Sequence, residues 1–383
     1  MKILQAVPFF SPVHGGSAIV SYYLSRELAK REHEVTIFTS DCKLSQEWVE
    51  SLHQVKIYPF KTRLNWAKFY VTPSMMKNTE EKIKYFDVIH MHNYRSFQNL
   101  VLHHYARKYS VPYVLQAHGS LPRIMAKQRL KWIYDVLFGY RLLKDASKVI
   151  ALSPLEAEQY RDMGVPGEKI EVIPNGIDLS EYADLPPKGS FKKKFSIGDD
   201  KKIVLYLGRI HKTKGIDFLV KAYAHLVRRM NFKDAVLVIA GPDDGYLSEL
   251  RQLVSNLKIA DKVLFTGMLS EKEKTSAYVD SNVVVNVEPR NVFGLVPLEA
   301  AASYKPVIVA DGNVMSEIVN RGSFGFSVRY GDIYKLAETM GKMLTNANLS
   351  RKIGQKGRKY VFENCRWANV VAKLEKVYKE TVQ

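Results

Sequence analysis

Short apolar runs rich in β-branched residues alternate with stretches of helical period along this chain, and the whole series occurs twice. "KILQAVPF", "EVTIFTS", "VKIYPF", "DVIHMHN", "PYVLQAHG", "KVIALS" and "IEVIPNG" read as strands, and several segments between them carry apolar residues at i, i+3 and i+4. Such a strand–helix–strand series builds a mostly parallel sheet. The stretch "PNGIDLSEYADLPPKGS", loaded with Pro, Gly and Ser, interrupts it. The series then resumes with "KIVLYLGR", "AVLVIAG", "KVLFTG", "NVVVNVEP" and "KPVIVAD". The pattern predicts an α/β protein of two doubly wound parallel sheets, in domains 1–174 and 175–366 joined near residue 175. Ligands of such sheets bind beyond the carboxyl ends of the strands, so two of them can share a cleft between domains.

At 383 residues with 46% hydrophobic content, the chain can bury two ordinary cores. Its two cysteines, Cys42 and Cys365, supply neither a disulfide framework nor a metal spacing, which favours a cytoplasmic location. The start, "MKILQAVPFFSPVHGG", has one lysine and is broken by Pro8 and Pro12, which suits a first buried strand rather than a signal peptide. No run approaches the roughly 18 apolar residues of a membrane span. The net charge of +18 calls for a partner. From Lys56 to Lys148 there are seventeen Lys and Arg against five Asp and Glu, an excess of twelve in a quarter of the chain. No zinc finger, RNP-type aromatic run or basic helix leading into heptads points to nucleic acid. An anionic surface such as phospholipid headgroups fits the asymmetry, with a merely solubilising lysine-rich face as the alternative.

Three motifs sit where a doubly wound sheet holds ligands. In "SPVHGGSAIVSYYLSREL", Gly15 and Gly16 open a helix and let backbone approach a phosphate or sugar, although a paired glycine is more often a tight turn. In "LGRIHKTKG", Arg209 and Lys214 follow the first strand of the second domain, where two cations can neutralise a diphosphate without metal; two solvated loop cations are the alternative. In "NVFGLVPLE", Gly294 precedes a helix start whose amides can face a ligand, and Glu299 can accept hydrogen bonds from a ribose diol unless it is only a surface acid.

In their order, the GG loop, "QAHGS", "IPNGID", "LGRIHKTKG", "VIAGPDDG", "FTGMLSEKE" and "NVFGLVPLEAAASYKPVI" resemble the retaining glycosyltransferases of family 4 over nearly the whole chain. The resemblance implies a GT-B fold, two Rossmann-like domains facing a central cleft. It implies transfer of a hexose from a UDP- or GDP-sugar to an acceptor hydroxyl, with no cofactor beyond that nucleotide-sugar substrate and no metal. It matches Arg209 and Lys214 to the pair on the donor diphosphate and Glu299 to the second acid of an E-x7-E motif, which holds the ribose. Gly16 matches the loop beside the reacting phosphate, and His118 the histidine facing the donor sugar. Met268, Phe293, Leu295 and Val296 join Gly294 in the implied donor site. The same resemblance assigns the acceptor to the first domain and the nucleotide sugar to the second, and returns helix 367–383 to the first domain. A glycolipid or lipid-linked saccharide at the cytoplasmic face of the membrane is the implied acceptor.

The departure is Asn291, where the motif has its first glutamate, a contact of the donor sugar's hydroxyls. An amide still donates and accepts but carries no charge. Hydrogen bonds to ionised groups contribute about 1.5–3 kcal/mol against about 0.5–1.5 for neutral ones, so Asn291 retunes or weakens donor recognition before it abolishes it. Glu288, three residues earlier, could stand in. The rival expectation is a nucleotide-sugar-binding protein without transfer activity. No acid of the matched motifs stands where a double displacement needs a nucleophile, so the resemblance implies a same-face substitution assisted by the leaving phosphate. In "RIMAKQRLKWIYDVLFGYRLLKDASK", Leu130, Ile133, Leu137 and Tyr140 recur at helical spacing, which predicts a helix with that face on the core and Lys127, Arg129, Lys131, Arg141 and Lys144 outward. The sugar, base, acceptor and oligomeric state are not legible.

Overall fold

The computed structural model describes residues 1–66, 69–123, 127–289 and 293–382. It divides into two compact units: Met1–Gly176 with Trp367–Gln383, and Ile177–Arg366.

The first unit carries β1 (Lys2–Val7), β2 (Glu34–Ser40), β3 (Lys56–Phe60), a hairpin of β4 (Leu64–Trp66) and β5 (Phe69–Val71), then β6 (Val88–His92), β7 (Tyr113–Gln116), β8 (Lys148–Ala151) and β9 (Ile170–Val172). Its main sheet runs β3-β2-β1-β6-β7-β8-β9, every neighbouring pair parallel. Alternate residues of each strand feed opposite faces. Leu4, Ala6, Ile89, Met91 and Leu115 enter one core cluster, and Ile3, Val7, Val88 and Val114 enter the other. The helix Trp367–Val382 belongs to the second of these, burying Trp367, Val370, Val371, Leu374, Val377 and Tyr378 at helical spacing beside the helix Gly16–Lys30. The Arg31 guanidinium donates two hydrogen bonds to the Glu375 carboxylate at 2.8 and 2.7 Å, which tie the two helices together.

The second unit carries β10 (Lys202–Leu207), β11 (Ala235–Ala240), β12 (Val263–Gly267), β13 (Ser281–Asn286), β14 (Val307–Ala310) and β15 (Gly325–Val328). They form a parallel sheet in the order β12-β11-β10-β13-β14-β15 around one core cluster. In the helix Ile216–Arg229, Ile216, Leu219, Val220, Tyr223, Leu226 and Val227 make the buried stripe. Both sheets are doubly wound. Strand order reverses where β1 lies beside β6 and where β10 lies beside β13, so chain segments leave those strand ends in opposite directions and open a crevice. The β4–β5 hairpin and β15 do not stand out in the sequence: Asn65 and Ser327 interrupt their short runs, whereas the equally short β7, β8 and β14 carry consecutive apolar residues.

Candidate functional site

In the second unit the loop between β10 and the helix Ile216–Arg229 holds both predicted cations. Gly215 has φ +69°, and a Cβ there would lie 2.6 Å from the Val287 carbonyl oxygen. Only glycine lets this loop close against the end of β13. That approach brings Lys214 to Glu288, whose oxygens accept from Nζ at 2.9 and 2.7 Å. The Glu288 backbone is held in turn by Asn313, whose side-chain amide donates to its carbonyl at 3.0 Å. Arg209 turns the other way and pairs with Asp244, beyond β11. The two cations are therefore not the free solvated pair that the sequence allowed. Arg209 and Asp244 are about half exposed, whereas Lys214 and Glu288 are 24% and 17% exposed, so the second pair is the less screened.

Glu299 lies on the helix Leu295–Ala302, which follows β13. It is half-buried, not a plain surface acid: the Tyr278 hydroxyl donates to Oε2 at 2.7 Å and Lys274 Nζ lies 3.5 Å from Oε1. Lys274 also meets Glu271 at 2.5 Å and Glu181 at 3.9 Å. Burial works to lower the Lys274 ammonium, but Glu299 and Glu271 outweigh it and hold the group above its usual range. Burial pushes the Glu181 carboxyl up to about 6, with Lys274 opposing and Glu271 and Glu299 adding to the rise. Phe293, Leu295 and Val296 pack partly buried on the core, with Gly294 as the N-cap of the helix. Met268, just past β12, is 80% exposed. Asn291 lies outside the described residues.

In the first unit Gly16 starts the helix Gly16–Lys30 after Gly15 at φ +86°, and a Cβ on either would meet nothing within 4 Å. His118 follows β7 in the left-handed region at φ +50°. Its loop is held from below: Gly119 N–H donates to Glu156 Oε1 at 2.6 Å, and Ala117 N–H to the Tyr160 hydroxyl at 2.9 Å. His118 Nε2 lies 2.8 Å from His92 Nδ1, with the rings stacked 9° from parallel. Burial drives the His118 imidazole down to about 3, so it is neutral near pH 7.

Arg209 and Lys214 thus lie in the segment after β10, and Phe293, Gly294, Leu295, Val296 and Glu299 in the segment after the neighbouring β13, where the second sheet's strand order reverses. In the first sheet Gly16 follows β1 and His118 follows β7, on either side of β6, and Met268 follows β12 of the second sheet. Sequence reading missed Asp244, Lys274, Tyr278, Glu181, His92 and Glu156. Glu299 is singled out by its place in a motif, while Lys274 and Tyr278 lie on another helix and no motif marks them. Among the described residues, no three His, Cys, Asp or Glu side chains group to hold a metal ion.

Of the expectation for residues 127–144, the outward cations hold for Lys127, Arg129, Arg141 and Lys144, and the inward apolar face is overturned. Leu130, Ile133, Leu137 and Tyr140 are exposed, as are Trp132, Val136 and Phe138. Asp135, Gly139, Leu142 and Leu143 face inward. Two features set that rotation. The Asp135 carboxylate accepts from Arg95 at 2.9 and 2.7 Å with no exposed surface, and Gly139 packs under Tyr94, where a Cβ would fall 2.1 Å from the hydroxyl. Between the helices Gln128–Tyr134 and Tyr140–Asp145 lies a π-turn, Asp135–Gly139, whose wider winding shifts the phase of a 3.6-residue stripe. Lys127 Nζ sits 4.3 Å over the Trp66 ring, which with Leu64 extends the exposed apolar surface onto the β4–β5 hairpin. No helix among the described residues is long and apolar enough to cross a membrane.

Two family models match this chain: Glycosyltransferase Family 4 over residues 14–181 and Glycosyl transferases group 1 over residues 187–360. N-acetyl-alpha-D-glucosaminyl L-malate synthase of Bacillus anthracis is 25% identical, over 100% of this chain and 98% of its own. Alpha-monoglucosyldiacylglycerol synthase of Streptococcus pneumoniae is 28% identical, over 87% of this chain and 76% of its own. Among solved structures, an Anabaena protein in complex with UDP superposes with TM-score 0.82 at 18% identity, covering 99% of this chain and 100% of that one.

Proposed function

This chain belongs to the group 1, family 4 glycosyltransferases and has their two-unit GT-B fold, and on that premise we propose that it is a retaining hexosyltransferase. It moves a hexose from a UDP- or GDP-sugar to an acceptor hydroxyl without a bound metal. The observation that supports this reading is that Arg209 and Lys214 follow β10 and Glu299 follows the neighbouring β13, at the reversal of strand order in the second sheet. The Anabaena neighbour's complex with UDP supports a uridine nucleotide there.

Arg209 and Lys214 exchange their carboxylate partners for the donor diphosphate. Exposed ion pairs contribute only about 0–1 kcal/mol, so Arg209 leaves Asp244 at little cost. Both cations stabilise the charge that grows on the departing phosphate, which is catalysis by preorganised electrostatics. Glu299, held by Tyr278 and Lys274, accepts from the ribose diol. Phe293 to Val296 and Met268 line the donor, and Gly16 gives room beside the reacting phosphate. His118 faces the sugar. With no carboxylate nucleophile assigned, the acceptor attacks the face that the phosphate leaves, and that phosphate takes the acceptor's proton.

The acceptor is a glycolipid or lipid-linked saccharide, reached from the cytoplasmic face of an anionic membrane. Exposed Leu130, Trp132, Ile133, Leu137 and Phe138 beside Lys127, Arg129, Arg141 and Lys144 match a bilayer, apolar groups for acyl chains and cations for phosphate headgroups. The diacylglycerol relative supports a lipid acceptor and the malate relative a soluble one; the apolar surface favours the first. The test is transfer from radiolabelled UDP- and GDP-sugars with membrane extract and EDTA present. Label should enter the lipid fraction. Transfer abolished by EDTA would remove the metal-independent mechanism, and transfer seen only in Asn291→Glu would leave a nucleotide-sugar-binding protein.

A further inference from the structure

Four buried polar side chains, Tyr378, His90, His92 and Gln5, run through the first unit from its C-terminal helix to the half-buried His118. Tyr378 Oη lies 2.6 Å from His90 Nδ1, and the His90 and His92 rings stack at 4.2 Å. His92 Nε2 lies 2.5 Å from Gln5 Oε1, and His92 Nδ1 lies 2.8 Å from His118 Nε2. Gln5, on β1, has no exposed surface, and neither do His90 and His92.

The chemistry of these groups gives the chain a direction. An amide oxygen only accepts, so His92 carries its hydrogen on Nε2. A neutral imidazole has one hydrogen, which leaves His92 Nδ1 bare and makes it the acceptor from His118 Nε2–H. His118 Nδ1 is then bare as well. That atom is buried and has no hydrogen-bond partner among the described residues. Burial holds all three imidazoles neutral, His90 and His118 down to about 3 and His92 well below its ordinary value.

The direction depends on which end of the Gln5 amide faces His92. Gln5 Nε2 is buried with no hydrogen-bond partner among the described residues. The oxygen is the end that faces His92, so His92 Nε2–H donates to it.

We propose that Gln5 and His92 are positioning residues that fix His118 in one tautomer, hydrogen on Nε2 and Nδ1 bare, so that it offers a neutral acceptor to a hydroxyl of the donor sugar. This rests on the reading of His118 as the residue facing that sugar. The backbone agrees with such a constraint. A non-glycine residue in the left-handed region is sparsely populated, and His118 is kept there by Glu156 and Tyr160 under its loop. The consequence is chemical: His118 accepts from a sugar hydroxyl rather than protonating the leaving group, and a deoxy sugar lacking that hydroxyl leaves the acceptor unsatisfied.

The test is a long-range 1H–15N spectrum of the full chain labelled with 15N-histidine at pH 7.5, assigned by single histidine replacements. His92 and His118 should both show a protonated Nε2 and a bare Nδ1. His92→Asn should keep the His118 tautomer, because the Asn oxygen can accept from His118 Nε2–H. Gln5→Leu and His92→Phe should give mixed tautomers and about tenfold lower kcat/KM, carried mostly by the donor KM. A protonated Nδ1 on His118 in the unmutated protein would overturn the proposal, and that spectrum needs no variant to fold. If the tautomer is fixed but UDP-glucose and GDP-mannose both leave the Nδ1 signal unmoved, the positioning stands and the sugar contact of His118 falls.

Discussion

Arg209 and Lys214 differ in what each must give up to bind a diphosphate. Arg209 leaves a solvent-screened Asp244, whereas Lys214 leaves a more enclosed Glu288 that contacts it with both oxygens. On the proposed reading each makes a charge-assisted contact with the leaving group, so Arg209→Ala and Lys214→Ala should each lower kcat by about a hundredfold or more. Near-normal steady-state kinetics in both variants would remove the diphosphate assignment. Glu299→Gln should behave otherwise, because ribose is held equally in ground and transition states. Donor KM rises by roughly ten- to a hundredfold with kcat nearly unchanged. A loss confined to kcat would contradict the ribose role. At this scale the sequence singles out residues 209, 214 and 299 by their motif positions. It did not show what holds them: Asp244 stands inside "VIAGPDDG" with nothing to mark its pairing with Arg209, and Lys274 and Tyr278 reach Glu299 from another helix through side-chain direction alone.

The segment from Gln128 to Asp145 shows why elements are harder to read than motifs. A stripe at 3.6-residue spacing says that one face is apolar, not that this face is inward. A buried Arg95–Asp135 pair and the close seat of Gly139 decide the rotation, and both are long-range facts. Removing one partner of such a pair costs about 3–5 kcal/mol, so Asp135→Ala should unseat the segment and serves as a folding control. Docking itself is read by sedimentation with vesicles. The chain should pellet with anionic but not zwitterionic vesicles, and added salt should weaken this only in part, because the apolar contact is not screened. Trp132→Ser with Leu137→Ser should abolish the salt-resistant part. Lys127→Glu, Arg129→Glu and Lys131→Glu together should abolish the salt-sensitive part, each cation contributing about 1 kcal/mol near an anionic surface. Equal recovery in the supernatant with and without anionic lipid would sink the docking and favour a soluble acceptor.

Across the whole molecule, the two-sheet plan was legible because parallel strands buried on both faces write continuous apolar runs. The protonation of the interior was not, because it depends on which side chains the strands bury together. The first unit holds four histidines below their ordinary value: His90, His92, His103 and His118, with burial the leading cause in each. For such groups the unfolded chain binds the proton first. Their stabilisation is complete above pH 6.5 and is lost as pH falls towards the folded values, about 3 for His90 and His118. Glu156 in the same unit is raised by burial and has the opposite sign, one group against four. In the second unit Glu181, raised to about 6, is also of opposite sign: its contribution is full below pH 4.5 and lost as pH rises through 6. Acidification from pH 7 to 5 should therefore weaken the first unit and not the second. All four tryptophans, Trp48, Trp66, Trp132 and Trp367, lie in the first unit, so tryptophan emission follows that unit alone. Each histidine contributes at most about 1.4 kcal/mol per pH unit, and each kcal/mol moves the midpoint of a unit this size by about 2–4 °C. The emission midpoint should fall by several degrees between pH 7 and 5 at constant ionic strength, and His90→Asn should flatten the dependence. A midpoint that holds or rises would mean that these imidazoles are protonated, or open to water, in the folded chain.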